Sequence, residues 1–88
     1  MTIPLGISLM PHGPVADLVD LARLAEDLGC CRCWVYDEGL ATRDVYVTMT
    51  AVVLATSTFG VGTGITNPYS RHPVTTASAI ATIDELSG

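Results

Sequence analysis

Short apolar segments alternate along the chain with longer segments in which apolar residues recur at helical spacing. The short segments, predicted as buried strands, are residues 5–10, 33–36 and 59–65. The longer segments, predicted as helices, are residues 15–28, 44–56 and 73–87. One face of the first helix is predicted to carry an apolar stripe of Val15, Leu18, Val19, Ala22, Ala25 and Leu28. Asp44 is a suitable N-cap, Pro73 suits a first helical position, and Gly29 and Gly88 are suitable stops. The pattern therefore predicts three successive strand–helix units.

This alternation predicts an α/β protein with a parallel sheet covered by helices. Two architectures fit, a small doubly wound sheet and the opening βαβαβα portion of a (β/α)8 TIM barrel. Three strands alone would leave two sheet edges open. A complete barrel needs about 250 residues, whereas this chain has 88, of which only 15% are charged. We therefore expect residues 1–88 to be the N-terminal third of a single TIM-barrel domain whose remainder lies outside this chain.

Charge and hydropathy narrow the class of function. The formal net charge is −5, and the four basic residues are all arginines scattered along the chain. A nucleic-acid-binding protein normally carries a basic cluster, so we expect no nucleic-acid partner. The longest uninterrupted apolar stretch, residues 51–55, is far shorter than the roughly 20 residues of a membrane span. The start of the chain has no secretory pattern, so we expect a cytoplasmic protein without membrane contact.

Three cysteines crowd into four positions, at Cys30, Cys31 and Cys33. Cys30 and Cys33 have C-x-x-C spacing, which in redox and zinc sites stands at a helix N-terminus or is joined by a second pair of ligands. Here the spacing follows a predicted helix end and enters a strand. We therefore expect small apolar packing residues and no metal site.

Candidate chemistry lies where the predicted strands end, because parallel α/β sheets bind ligands beyond the carboxyl ends of their strands. Those ends carry residues 11–12, the acids Asp37 and Glu38, and residues 64–67. Neighbours on an extended segment point to opposite sides, so at most one of the two acids faces the site directly. A solvated turn is an equally good explanation of the pair. The two histidines have simple structural explanations. His12 is expected to be a loop residue, and His72 to lie at the start of a helix.

Glycines recur at Gly60, Gly62 and Gly64 in the third strand. The dinucleotide fingerprint G-x-G-x-x-G follows a first strand and runs directly into a helix. This run does neither, since it lies on the third strand and meets Asn67. The glycines instead indicate a bulge or a close approach of the backbone to a planar ligand.

Five segments together resemble a known family. They are WVYDEGLA (34–41), RDVY (43–46), GTGITNPY (62–69), RHP (71–73) and ASAIATIDELSG (77–88). With them the chain resembles, over nearly all of its length, the luciferase-like flavin- or deazaflavin-dependent oxidoreductases. It is most similar to the branch that contains methylenetetrahydromethanopterin reductase.

The resemblance implies a TIM barrel that transfers a hydride between the deazaflavin coenzyme F420 and a small-molecule substrate. It places the coenzyme ring at the carboxyl end of the strands, against a bulge with a non-prolyl cis peptide bond, which matches Gly64–Ile65. The implied coenzyme-binding residues are Asp37, Gly64, Ile65 and Thr66. Asp37 is expected to bond the polar edge of the ring, and Glu38 to act as the catalytic residue that handles a proton.

Two positions depart from the family pattern. Many relatives have a histidine where this chain has Glu38, and the reductase branch has a glutamate where this chain has Ser8. The substrate is therefore left unidentified. An FMN-dependent luciferase-like monooxygenase is the alternative to an enzyme that uses F420. A truncated fragment, inactive by itself although the full-length protein is an enzyme, is a second alternative.

The second predicted helix is apolar on nearly every face. One stripe contains Val45, Met49 and Val52, and other faces carry further apolar residues such as Val47 and Leu54. A helix that is apolar all round is normally buried all round. Family members pair two barrels through these helices, so we expect a homodimer formed through helices two and three.

Overall fold

The computed structural model describes residues 5–38, 42–66, 69 and 71–87. Its elements alternate as predicted. In chain order they are β1 (Gly6–Leu9), α1 (Val15–Asp27), β2 (Arg32–Val35), α2 (Val45–Ala55), β3 (Gly60–Thr63) and α3 (Pro73–Ser87). β1 and β3 are shorter than predicted because each pairs only along the four residues of β2. Among the described helices, none has both the length and the apolar character needed to cross a bilayer.

The three strands form one parallel sheet in the order β1-β2-β3. In β2, Cys33 and Val35 are buried beneath the helices, whereas Arg32 and Trp34 are exposed on the other face. The central helix α2 packs against both α1 and α3. Each strand thus lies beside the preceding one, with the helices in a single layer. This arrangement is that of a barrel opening, and the α/β prediction is confirmed.

The core lies between the sheet and α2. Its most deeply buried residues come from the centre of the chain and include Val35, Val45, Met49 and Val52. Because the predicted apolar stripe of α2 faces this core, it is confirmed. Leu28, predicted on the stripe of α1, is instead exposed, because α1 ends at Asp27 and the chain turns away there.

Three local signals that mark helix ends are confirmed. The side chain of Asp44 accepts the backbone N–H of Val47 at 2.9 Å, which caps α2. At the start of α3, Nδ1 of His72 accepts the backbone N–H of Val74 at 3.1 Å. Gly29 has a φ of 98° after α1, a conformation that side chains disfavour.

The cysteines lie at the amino end of the sheet, away from the strand ends at which we expect a ligand. All three are free thiols. Burial raises the pKa of the Cys33 thiol to about 11, so this group is neutral at physiological pH. A neutral thiol is neither a metal ligand nor an effective nucleophile. Cys33 is therefore a packing residue, as predicted.

The same end of the sheet is tied together by Glu26 of α1. Its carboxylate accepts the backbone N–H groups of Ser57 at 3.0 Å and Thr58 at 2.8 Å. These two residues form the connection from α2 to β3. The carboxylate therefore accepts hydrogen bonds from two backbone N–H groups that are not paired within a strand or a helix.

Trp34 of β2 packs against Gly62 of β3 and against Gly64, which directly follows that strand. A Cβ atom added to Gly62 would lie 2.9 Å from the indole atom Cζ3, and one added to Gly64 would lie 2.9 Å from Cβ of Trp34. Real Cβ contacts essentially never come so close. The planar group packed against these glycines is therefore the indole of this chain's own tryptophan, where the sequence predicted a planar ligand.

We predict that Gly62→Ala lowers the free energy of unfolding by about 1–3 kcal/mol, because the added methyl group displaces the indole from a packed position. Urea unfolding of the protein that carries this chain, followed by circular dichroism, measures the change. Gly13→Ala is the matched control, since a Cβ there meets nothing within 4 Å. The loss should shrink in a Trp34→Leu background. Equal stability of the Gly62→Ala and Gly13→Ala variants would contradict the prediction.

Candidate functional site

The carboxyl ends of the three strands are joined by backbone hydrogen bonds beyond the strands themselves. The N–H of Tyr36 donates to the carbonyl of Leu9 at 3.0 Å, and the N–H of Gly64 donates to that of Val35 at 2.9 Å. One step further, the N–H of Asp37 donates to the carbonyl of Ile65 at 3.2 Å. The acid that follows β2 is therefore held directly beside the segment that follows β3.

That segment begins with a cis peptide bond between Gly64 and Ile65, which confirms the prediction for this position. The Ile65 side chain is 81% exposed and forms an apolar surface at the carboxyl end of the sheet. The absence of a side chain at Gly64 is explained by Trp34 beneath it. The two residues thus place an exposed apolar residue in the segment that is hydrogen-bonded to the backbone of Asp37.

A chain of side-chain hydrogen bonds converges on Asp37. The Thr66 hydroxyl donates to Oδ2 of Asp37 at 2.5 Å, and the Tyr46 hydroxyl lies 3.0 Å from Oγ1 of Thr66. A threonine hydroxyl has one proton, and here the carboxylate accepts it. The Tyr46 hydroxyl must therefore be the donor to Thr66. The chain runs in one direction, from Tyr46 through Thr66 to Asp37.

Arg71 completes this group of residues from the connection between β3 and α3. Its guanidinium carbon lies 4.5 Å from the centroid of the Tyr46 ring, a distance typical of a cation–π contact. Sequence reasoning assigned no role to Tyr46 or Arg71. The available signal was a tyrosine in the first turn of a helix that follows an acidic strand end, which by itself specifies no partner.

His12 and Glu38 face each other at the same edge of the sheet. Nε2 of His12 lies 3.9 Å from Oε2 of Glu38, and both side chains are about half exposed. Arg43 holds the loop that carries His12, since its backbone N–H donates to the carbonyl of Pro11 at 2.7 Å and its guanidinium to that of His12 at 2.9 Å. His12 lies in a loop as predicted, but its position beside Glu38 was not foreseen.

The structure therefore brings four of the predicted site residues together: Asp37, Gly64, Ile65 and Thr66. Glu38 lies beside them and is paired with His12. Asn67, the last residue of the predicted site segment, lies outside the described residues, as does the stop at Gly88. Within the part of the chain that the structure describes, no three His, Cys, Asp or Glu side chains could hold a metal ion together.

The sequence profile of the family described as luciferase-like monooxygenase matches residues 2–88. The chain belongs to the luciferase-like monooxygenase family. Three similar proteins are each named 5,10-methylenetetrahydromethanopterin reductase. They come from Methanolobus tindarius, 41% identical over 83 residues, Archaeoglobus fulgidus, 42% over 83 residues, and Methanopyrus kandleri, 38% over 86 residues.

A solved structure is similar over this whole luciferase-like chain. It is the coenzyme F420-dependent tetrahydromethanopterin reductase from Methanopyrus kandleri, which superposes with a TM-score of 0.92 at 38% identity. The match covers 100% of this chain and 25% of that structure. The chain spans about a quarter of the length of the curated relatives it matches. The predicted fold class, the βαβαβα portion of a TIM barrel, is therefore confirmed.

Proposed function

We propose that the chain forms the N-terminal part of a cytoplasmic TIM-barrel oxidoreductase that moves a hydride between coenzyme F420 and a small organic substrate. The observation that carries this proposal is the cluster of Asp37, Ile65 and Thr66 beyond the strand ends. The chain that bears it is similar along its whole length to a reductase named for its dependence on F420. The three free thiols suit a reducing compartment.

The residues of the cluster fit a flat ring with one polar edge. When bound, the coenzyme supplies two-electron hydride chemistry that no side chain provides. Asp37 would accept a hydrogen bond from an N–H group on the ring edge, because a carboxylate offers acceptors only. Ile65 would lie against the ring face, since its exposed side chain is apolar. Gly64 would let the backbone pass close to Trp34 beneath the ring, because an added Cβ would lie only 2.9 Å from Cβ of Trp34.

Proton handling is proposed for Glu38, with His12 as its neighbour. A positioned carboxyl group can give or take a proton as the substrate changes its bonding. The two side chains lie 3.9 Å apart, each about half exposed. Their exposure at the edge of the site leaves room for a substrate beside the ring.

We assign no pterin specificity to this chain, although the relatives are named for a pterin substrate. The resemblance implies a glutamate in the first strand, and this chain has Ser8 in β1. A serine hydroxyl does not replace a carboxyl group in proton transfer. The substrate is therefore proposed only as a small organic hydride donor or acceptor.

A homodimer through α2 and α3 is proposed for the complete protein. Val47 and Leu54 of α2 are each 65% exposed, and Ala51 lies between them on the same face. A groove runs beside this face between the two helices, lined by Val47, Thr50, Arg71, Ala79, Thr82 and Leu86. An apolar helix face next to small side chains permits close packing of a second copy, and a two-fold interface pairs like with like.

For the coenzyme, we expect tighter binding of F420 than of FMN, followed by quenching of ring fluorescence in the protein that carries this chain. Asp37→Asn should weaken F420 binding about tenfold, since it removes a charge-assisted hydrogen bond. Asp20→Asn, an exposed acid on α1, is the matched control and should leave binding unchanged. Tighter binding of FMN would instead support the FMN-dependent monooxygenase.

For the proton, we expect Glu38→Gln to lower turnover roughly 100-fold at saturating coenzyme, because positioned acid–base groups contribute on that scale. Coenzyme affinity should stay within about twofold, which separates proton handling from coenzyme binding. Glu85→Gln, on an exposed face of α3, is the control. Unchanged turnover of the Glu38→Gln protein across the pH range would rule out the proposed role.

For the assembly, we expect Ala51→Arg to convert the dimer into monomers, measured by light scattering. The two-fold axis would place two unpaired charges in one apolar interface, and desolvating them is costly. Ala16→Arg, which adds the same charge to an exposed position on α1, should leave the dimer intact. A dimer that persists in Ala51→Arg would locate the interface elsewhere.

A further inference from the structure

We propose that Tyr46 is a positioning residue for the carboxylate of Asp37, acting through the hydroxyl of Thr66. The proposal rests on the coenzyme site proposed above. It adds to that site a residue of α2 that is not among those proposed to contact the coenzyme ring. Tyr46 belongs to the first turn of α2, and its hydroxyl is the first donor of the chain that ends on Asp37.

The hydrogen bonds leave Thr66 a single orientation. Its proton goes to Oδ2 of Asp37 at 2.5 Å, and its oxygen accepts from Tyr46 at 3.0 Å. Without Tyr46, the Thr66 oxygen loses the donor that holds it from the opposite side. The hydroxyl could then rotate about its own bond, and the carboxylate would lose a fixed partner. Tyr46 therefore determines the direction in which Asp37 presents its acceptors.

Tyr46 is itself held firmly enough to serve as an anchor. Its side chain is 6% exposed and packs in the hydrophobic core. Arg71 lies over one face of the ring. Asp44 caps the helix one turn before Val47, and the Thr50 hydroxyl donates to the backbone carbonyl of Tyr46 at 2.8 Å. The phenol is thus fixed by packing, by a cation and by the helix start.

This ordering also defines the chemistry that the site recognises. The proton of Tyr46 is committed to Thr66, and that of Thr66 is committed to Asp37. The Thr66–Asp37 pair therefore offers acceptors and no donor. It suits a ligand edge that carries an N–H group and disfavours an edge that carries only carbonyl oxygens.

The test compares Tyr46→Phe with Thr56→Val in the protein that carries this chain. Tyr46→Phe keeps the ring, its packing and the contact with Arg71, and removes only the hydroxyl. We expect the dissociation constant for F420 to rise about five- to tenfold, the scale of one hydrogen bond. Thr56→Val removes a hydroxyl at the opposite end of α2 from Tyr46, where it donates to the backbone carbonyl of Val52 at 2.8 Å, so the dissociation constant should stay unchanged.

A double-mutant cycle tests the route through Thr66. In a Thr66→Val background, Tyr46→Phe should have no further effect on F420 binding, whereas Thr66→Ser alone should retain near-normal binding. An equal loss on Tyr46→Phe with and without the Thr66 hydroxyl would overturn the proposal. So would a loss for Thr56→Val as large as that for Tyr46→Phe, because the effect would then belong to the helix as a whole.

A second readout needs no coenzyme. The carboxyl carbon resonance of Asp37 in the unliganded protein should shift in Tyr46→Phe and stay in place in Thr56→Val. If the unmodified protein fails to bind F420 while this shift is observed, the proposed function is wrong and the positioning role stands. An unmoved resonance together with unchanged affinity would overturn the positioning role alone.

Discussion

The close contact between Trp34 and the glycines of β3 controls the alignment of the sheet. Trp34 pairs with Gly62, and no Cβ atom fits under the indole there. A slip of one residue would place Val61 or Thr63 opposite the indole and turn every side chain of β3 to the other face. In the observed register Val35 pairs with Thr63, so Asp37 meets Ile65 two residues later. The position of the acid therefore depends on a packing contact deeper in the sheet.

Helix α2 has two roles, which are carried by different residues along its length. Its buried stripe, with Met49 and Val52 at its centre, packs on the sheet and holds the layer of helices together. Its first turn places Tyr46 beside the strand ends. Stability and site geometry are thus carried by one rigid element. This suits a site whose polar groups must keep their directions, since residues on helices move less than residues on loops.

The fold could be predicted from the sequence largely because its signals are local. Period, length and end signals such as Asp44 and Gly29 specify strands, helices and their ends without reference to the rest of the molecule. The resemblance named Asp37, Ile65 and Thr66, which the structure brings together. Tyr46 and Arg71 were missed because their roles depend on side-chain contacts between segments far apart in the chain. The exposure of Leu28 was missed because a helical stripe does not show where the chain turns away.

The groove between α2 and α3 has Arg71 in its wall, and Arg71 lies on the ring of Tyr46. Only two hydrogen bonds separate that ring from Asp37. A molecule that bound in the groove and moved the Arg71 guanidinium would therefore also change the hydrogen bonding of Asp37, the acceptor proposed to bind the ligand. Coupling between two binding events is reciprocal, so the ligand would alter occupancy of the groove by the same factor. If the molecule in the groove is the second copy of the proposed homodimer, the affinity for the ligand at the strand ends would depend on protein concentration. Self-association would in turn depend on ligand concentration.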